Sequence, residues 1–253
     1  MRSSHSLEVM GTVFSVSIED DIDPEILIEV SDWWEHVEQT FSTFRPDSQI
    51  SAIGRGELQL EDASVDVRHV LAVCAEFEAA TEGRFSIRSE RPGGPGLDPA
   101  GFVKGWSVDE AALMLRAAGA IDFAIYAGGD VLCSGRPADA EAWSVGVRLP
   151  QNPDAVGAVL SVNNAAVASS GTYERGEHIW GPESGSGALL GATVVGPNLG
   201  PADALATAIF SDQGQSFDWL SRFHGYSVVL FAADGKVRWS TALDSRIEVG
   251  EQI

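Results

Sequence analysis

Asp203 and Thr207 stand one helical turn apart in the segment Ala202–Thr207 (ADALAT), directly after Pro201. At this i, i+4 spacing a carboxylate and a hydroxyl share one face of a helix. Both are hard oxygen ligands suited to Mg2+, which takes one or two protein ligands and fills its octahedron with phosphate oxygens and water. The expected helix start adds a positive dipole end for an anion. The same pair also reads as a capping aspartate with a threonine packed inside. A second segment, Leu97–Trp106 (LDPAGFVKGW), joins Asp98, Gly101, Lys104 and Gly105 ahead of a helix. Lys104 supplies a point charge for a phosphate, and Gly101 lets a backbone carbonyl or amide approach a ligand or metal. A loop with a helix-capping turn is the plainer reading, because the spacing is not GxxxxGK[ST]. Tyr126–Asp130 (YAGGD) is a strand running into two glycines and an acid, or simply a tight turn. Ala168–Trp180 (ASSGTYERGEHIW) offers small residues for close approach, the aromatic Tyr173, and His178 as a general base or a structural histidine. Neither GxSxG nor HExxH occurs, which removes the commonest serine hydrolase and zinc protease readings.

These segments need elements to hold them. Residues 6–18 alternate like a strand interrupted at Met10-Gly11-Thr12. A helix follows, with Asp23 as cap, Pro24 in its first position, and Ile26, Val30, Trp33, Val37, Phe41 and Phe44 along one face. A second helix spans residues 65–81, with Val67, Val70, Leu71, Cys74 and Phe77 inward and Gly83 as its stop. A third spans 108–118. Beyond Gly119 come short strands at 123–126, 143–147, 159–162, 165–169 and 192–195, which imply a mixed sheet. A short helix after Pro201, another near 217–223, and a hairpin around Asp234-Gly235 complete the chain. The expectation is one α+β domain over residues 1–253, a mixed β-sheet packed by helices.

The 253 residues are 44% hydrophobic, enough for a substantial core, and 16 Lys plus Arg face 37 Asp plus Glu, a net charge of −21. Such a balance repels nucleic acid and anionic lipid. A polyanionic ligand would need helix N-termini, glycine-rich backbone amides or a metal cation to bind. Cys74 and Cys133 form no CxxC pair and read as core residues. The opening MRSSHSLEVMGTVFSVSI carries no long apolar stretch, so no signal peptide is expected, no run reaches transmembrane length, and the default location is the cytoplasm.

Taken in order, the segments resemble the ApbE family, the FAD:protein FMN transferases. The family's strand ending in MGT is matched by Met10, Gly11 and Thr12. Its serine- and aromatic-rich segment is matched by Phe41–Ser51 and its D-x-G-G-x-x-K-G loop by Asp98–Gly105. Its G-G-[DN] turn is matched by Gly128, Gly129 and Asp130. Its S-G-x-Y-x-R segment with a following H-I is matched by Ser170, Gly171, Tyr173, Arg175, His178 and Ile179, and A-D-A-L-A-T is matched in full. The resemblance implies an ApbE-like, T-fold-like architecture. It also implies Mg2+ on the FAD pyrophosphate while a Thr or Ser hydroxyl of an acceptor flavoprotein attacks the phosphorus beside FMN, releasing AMP.

By the same resemblance Asp203, Thr207 and the Gly101 carbonyl hold the metal, Asp98 and Lys104 contact FAD, and His178 activates the acceptor hydroxyl. Met10, Phe44, Phe85 and Tyr173 are candidate walls for the flavin rings, with Gly129, Asp130, Ser170, Gly171 and Ile179 also toward FAD. Three departures stand out. The family's D-P-[RK]-[ST]-G after H-I is Trp180-Gly181-Pro182-Glu183-Ser184-Gly185 here, its A-F-D is Arg84-Phe85-Ser86, and the first loop glycine is Ala100. Two alternatives follow: an Mg2+-dependent FAD pyrophosphatase yielding FMN and AMP, and a non-catalytic FAD-binding module, which the altered Gly181 and Glu183 favour.

Overall fold

The computed structural model describes residues 3–88, 96–171, 189–214 and 218–249. It begins with a hairpin of β1 (Ser3–Val9) and β2 (Thr12–Ile18), in register so that Val9 faces Thr12. The two residues between them, Met10 and Gly11, both have positive φ, 52° and 71°. A two-residue turn with positive φ at both positions matches the right-handed strand twist. The stretch read as one interrupted strand is therefore two strands, and the MGT segment is the reversal between them.

Helix α1 (Ile26–Phe41) starts after Glu25, while Asp23 Oδ1 accepts the Glu25 amide at 3.0 Å just upstream. Ile26, Val30, Trp34, Val37 and Phe41 are its buried face. Trp34 rather than Trp33 is the inward tryptophan, and Phe44 lies beyond the helix, 96% exposed. Ser48 caps the short α2 (Gln49–Gly54) by accepting from Ser51 N, and Ser64 caps α3 (Val65–Ala80) by accepting from Val67 N. The largest departure is α4 (Ala100–Ala117), which begins two turns before the expected residue 108. Phe102, Val103, Gly105 and Trp106 of its first turns are all buried, but Pro99 and the glycines at 101 and 105 give the segment the punctuation of a loop. Likewise α5 (Leu199–Ser211) begins before Pro201 and is no short helix.

The strands beyond α4 are β3 (Phe123–Ala127), β4 (Asp130–Ser134), β5 (Trp143–Leu149), β6 (Asn152–Val162), β7 (Ala165–Gly171), β8 (Leu189–Gly196), β9 (Ser227–Ala232), β10 (Val237–Trp239) and β11 (Ile247–Val249). They form two sheets, an eight-stranded one ordered β1-β2-β3-β4-β7-β8-β9-β10 and a three-stranded one ordered β11-β6-β5. The α+β class holds, but every ladder between these strands is antiparallel, so neither sheet is mixed. β4 and β11 were not anticipated from sequence.

Alternation along the central strands separates two cores. Phe123 and Ile125 of β3, Ala166 and Ala168 of β7, and Ala192 and Val194 of β8 point to the helices. Their alternate neighbours Ala124, Val167 and Val195 point to the three-stranded sheet, where they meet Trp143, Val147, Leu160 and Val162. Strands buried on both faces lose the apolar/polar alternation of a half-exposed strand, which is why their sequences read as continuous small apolar runs. The order of layers is thus helices, large sheet, small sheet. Among the described residues, no helix is long and apolar enough to cross a membrane.

Candidate active site

Helices α4 and α5 meet where neither has a side chain. A Cβ on Gly105 would stand 2.5 Å from the Leu199 carbonyl oxygen, and one on Gly200 would stand 3.0 Å from Trp106 N. Two glycines facing one another let the backbones touch. This contact sets the side chains next to it on the same two helices, Lys104 and Asp203, against each other.

Lys104 Nζ lies 2.6 Å from Asp130 Oδ2 and 3.8 Å from Asp203 Oδ2. Asp130 is fully buried and Asp203 is 3% exposed. Asp130 opens β4 straight after Gly128 and Gly129, whose φ values of 59° and 108° make the hairpin turn from β3. Its Oδ1 accepts the Ser169 amide of β7 at 2.9 Å. The YAGGD segment is therefore both of its sequence readings at once, a tight turn and a carboxylate delivered into the site. Two carboxylates inside the protein need a cation, since an uncompensated buried charge is far costlier than a paired one. Lys104 supplies it. It stands in this structure as the counterion of two acids, not as an unengaged cation awaiting phosphate.

On the next turn of α5, Thr207 Oγ1 is 3.4 Å from Ser170 Oγ at the end of β7. On the other face of the sheet, toward the three-stranded sheet, Ser169 Oγ and Thr193 Oγ1 are 2.9 Å apart across the β7–β8 ladder. One side of the site is thus lined with oxygens: a carboxylate and a hydroxyl on α5, and a hydroxyl on β7. The donor set of Asp203 and Thr207 fits Mg2+, being hard, oxygen-only and few in number. Gly101 lies in the first turn of α4, where its carbonyl points along the helix toward the residue 105 amide.

The α5 N-terminus, expected to face an anionic ligand, is already engaged. Asn198 caps it without a side-chain hydrogen bond, and the Asp109 carboxylate of α4 accepts Leu199 N at 2.7 Å and Gly200 N at 2.8 Å. Burial pushes the Asp109 carboxyl up to about 6, against the pull of those two N–H groups. Asp109 is absent from the sequence reading. Its signal is the i, i+4 relation to Gly105: the face that touches α5 at the glycine touches it again at the acid.

The remaining candidates fall into four groups. Met10 N donates to Glu38 Oε1 at 2.8 Å, and Gly128 N donates to the Val13 carbonyl, so the Met10-Gly11 and Gly128-Gly129 turns lie side by side at one end of the large sheet. Asp98 is exposed and its Oδ1 accepts the Ala100 amide at 3.2 Å, which starts α4. Phe44 is exposed, whereas Phe85 is 1% exposed, with Phe77 at a ring-centroid distance of 6.2 Å. The Phe85 ring is therefore core and has no face open to a ligand. Gly171 closes β7, and Tyr173, His178 and Ile179 lie outside the described residues.

The ApbE family profile matches residues 10–92 and 88–230. A Haemophilus influenzae protein named FAD:protein FMN transferase is 29% identical over 127 residues, 45% of this chain and 37% of that protein. The namesake of Chlamydia muridarum is 23% identical over 258 residues, 78% of this chain and 79% of its own length, and that of Rhodobacter capsulatus is 25% identical over 240 residues, covering 90% of this chain and 42% of its own. The chain thus spans less than half of the Haemophilus and Rhodobacter proteins. In fold it superposes on the flavin transferase ApbE of Vibrio cholerae with a TM-score of 0.79 at 18% identity, covering 97% of this chain and 100% of the other. With the ApbE protein of Thermotoga maritima the TM-score is 0.81 at 17% identity, covering 97% and 99%. The family profile runs through both the turns and the acids that meet at Lys104, and this chain belongs to the ApbE family.

Proposed function

We propose that this chain is an Mg2+-dependent FAD:protein FMN transferase. A Thr or Ser hydroxyl of an acceptor flavoprotein forms a P–O bond to the phosphorus next to riboflavin. The pyrophosphate P–O bond breaks, AMP leaves, and the hydroxyl proton passes to a base. The observation that carries this reading is the meeting of Lys104, Asp130 and Asp203 beside the hydroxyls of Ser170 and Thr207, at a place built from four of the family's motifs. The names of its relatives support the same activity.

Asp203 and Thr207 would hold the metal, with the Gly101 carbonyl as a third donor if the first turn of α4 releases it. Bound there, Mg2+ would offset the charge of the pyrophosphate and of the departing AMP. Lys104 keeps Asp130 and Asp203 from repelling each other and holds both at fixed distance. Asp130 in turn ties the site to β7 through the Ser169 amide. Met10 and the exposed Phe44 are the described apolar groups that could flank the flavin, and Gly129 of the β3–β4 turn and Ser170 would lie toward FAD. Asp98, Gly171, Tyr173 and Ile179 are the other FAD contacts in this reading, and His178 takes the proton.

The test is AMP release from FAD and Mg2+, with and without a peptide carrying an acceptor threonine, followed together with flavin fluorescence on the peptide. Transfer requires AMP and labelled peptide in equal amounts, both lost in Asp203→Ala and His178→Ala. AMP without any acceptor would mean hydrolysis, and bound intact FAD with no AMP would mean a flavin-holding protein.

A further inference from the structure

The site residues are divided between two helices, Lys104 on α4 and Asp203 and Thr207 on α5, so their geometry depends on the register of one helix against the other. The paired glycines permit close approach, but a smooth backbone contact does not by itself resist sliding or rotation. Asp109 does. One of its oxygens accepts Leu199 N and the other Gly200 N, at 2.7 and 2.8 Å. A planar carboxylate held by two consecutive amides fixes both translation along α5 and rotation about it. Lys104 is five residues before Asp109 on α4, and Asp203 is three residues after Gly200 on α5, so clamp and site are separated by roughly one helical turn on each helix.

We infer that Asp109 is a positioning residue of the active site, the clamp that holds α5 in the register at which Asp203 and Thr207 face Lys104 and the ligand. The inference deepens the proposed transferase reading and rests on it. Both Asp109 oxygens are taken up by the Leu199 and Gly200 amides, and its role is indirect. It acts through Asp203, because a slip of α5 by a fraction of an ångström changes the 3.8 Å separation from Lys104 Nζ and carries both metal-holding oxygens with it. Its loss should therefore appear in turnover before it appears in FAD binding.

The experiment compares wild type, Asp109→Asn and Ser64→Ala in AMP release per folded molecule, with KM for FAD, kcat and thermal stability measured for each. Ser64 caps α3 with a single side-chain bond to Val67 N at 3.3 Å and reports what the loss of a helix cap does by itself. For Asp109→Asn, a misplacement of the two metal-holding oxygens predicts a kcat lower by about 10- to 100-fold. KM for FAD should change by less than about 3-fold, the pattern of an interaction realised only in the transition state. Ser64→Ala should lower thermal stability and leave kcat alone. Asp109→Glu, which keeps both acceptor oxygens but one methylene farther out, replaces Asp109→Asn if that variant does not fold. Crystal structures of wild type and variant complete the test, with Lys104 Nζ and Asp203 Oδ2 expected to separate. An unchanged kcat, an equal loss in Ser64→Ala, or a retained Lys104–Asp203 distance would overturn the inference. If wild type itself releases no AMP, the transferase reading fails on its own, and the crystallographic distance alone decides whether Asp109 sets the register.

Discussion

Lys104 is the residue on which the two acids of the site depend. Its side chain is 23% exposed while those of Asp130 and Asp203 are 0% and 4% exposed, so removing its charge leaves both carboxylates buried without a counterion. Lys104→Met should therefore lower the unfolding free energy by about 3 kcal/mol, the usual consequence of breaking a buried pair from one side. Adding Asp130→Asn to Lys104→Met should recover a good part of that loss, because a neutral amide can be buried at lower cost and still accept the Ser169 amide through its oxygen. Urea unfolding of the two single variants and the double variant measures the coupling directly. Failure of the double variant to recover would mean that Lys104 matters through its packed stem and not its charge. At this scale much was legible in the sequence. Asp203 and Thr207 share a helix face by spacing alone, and Asp130 follows two glycines that had to turn. What spacing could not say is which charges neutralise each other. The Lys104–Asp130 pair joins α4 to β4, and Phe85 looks as available for a ligand as any other phenylalanine until Phe77 is found against it.

Between helices, the decisive position is Gly105. In an exposed helix Gly→Ala adds roughly 1 kcal/mol of stability by propensity. Here a Cβ would stand 2.5 Å from the Leu199 carbonyl oxygen, and the obstacle is backbone, which cannot rotate aside. The steric term wins, and Gly105→Ala should destabilise by about 1–3 kcal/mol, in the range of other overpacked contacts. Calorimetry reads the sign, and a gain in stability would mean that α4 and α5 can part without cost. Asp109, one turn along the same face, adds a pH dependence. Its folded carboxyl is pushed up to about 6 from the ordinary 3.8, with burial as the main cause, the Gly200 and Leu199 amides opposing it, Glu110 adding a little and Arg116 subtracting a little. A folded pKa above the unfolded one means that the folded protein holds the proton more tightly. That stabilisation is complete below about pH 4 and is lost as pH rises through about 6. Asp109→Asn should remove this slope, so the stability of wild type minus that of the variant should fall by about 2 kcal/mol between pH 4 and 7. A constant difference would place the Asp109 pKa near that of an ordinary carboxylate. These interhelical relations explain why the start of α4 was missed. Position 105 has to be glycine because α5 backbone lies against it, and without that partner Gly101 and Gly105 look like a loop. β11 was missed for a related reason, since its three residues are a strand only because β6 offers an edge.

Across the whole molecule, two opposed requirements meet. Both faces of the central strands are buried, so among the described residues nearly all charged side chains lie on the outside, and with 37 acidic against 16 basic residues in the sequence the excess of acids repels itself. Screening should relieve that repulsion. At about 0.1 M salt the Debye length is about 10 Å, shorter than most distances across the surface. Thermal stability should accordingly rise as NaCl goes from about 0.01 to 0.5 M, with most of the gain reached once the Debye length drops below the spacing of surface charges. A divalent cation would do this too, and that makes the comparison informative. If Mg2+ acts only as ionic strength, MgCl2 and NaCl at equal ionic strength should give the same melting temperature. If it is also held by Asp203 and Thr207, binding to the folded state alone adds RT ln(1 + [L]/Kd), about 1.4 kcal/mol at ten times Kd. MgCl2 should then exceed NaCl in wild type and match it in Asp203→Ala. An excess that survives in Asp203→Ala would assign the effect to another acidic group on the surface and remove the support that Mg2+ lends to this site.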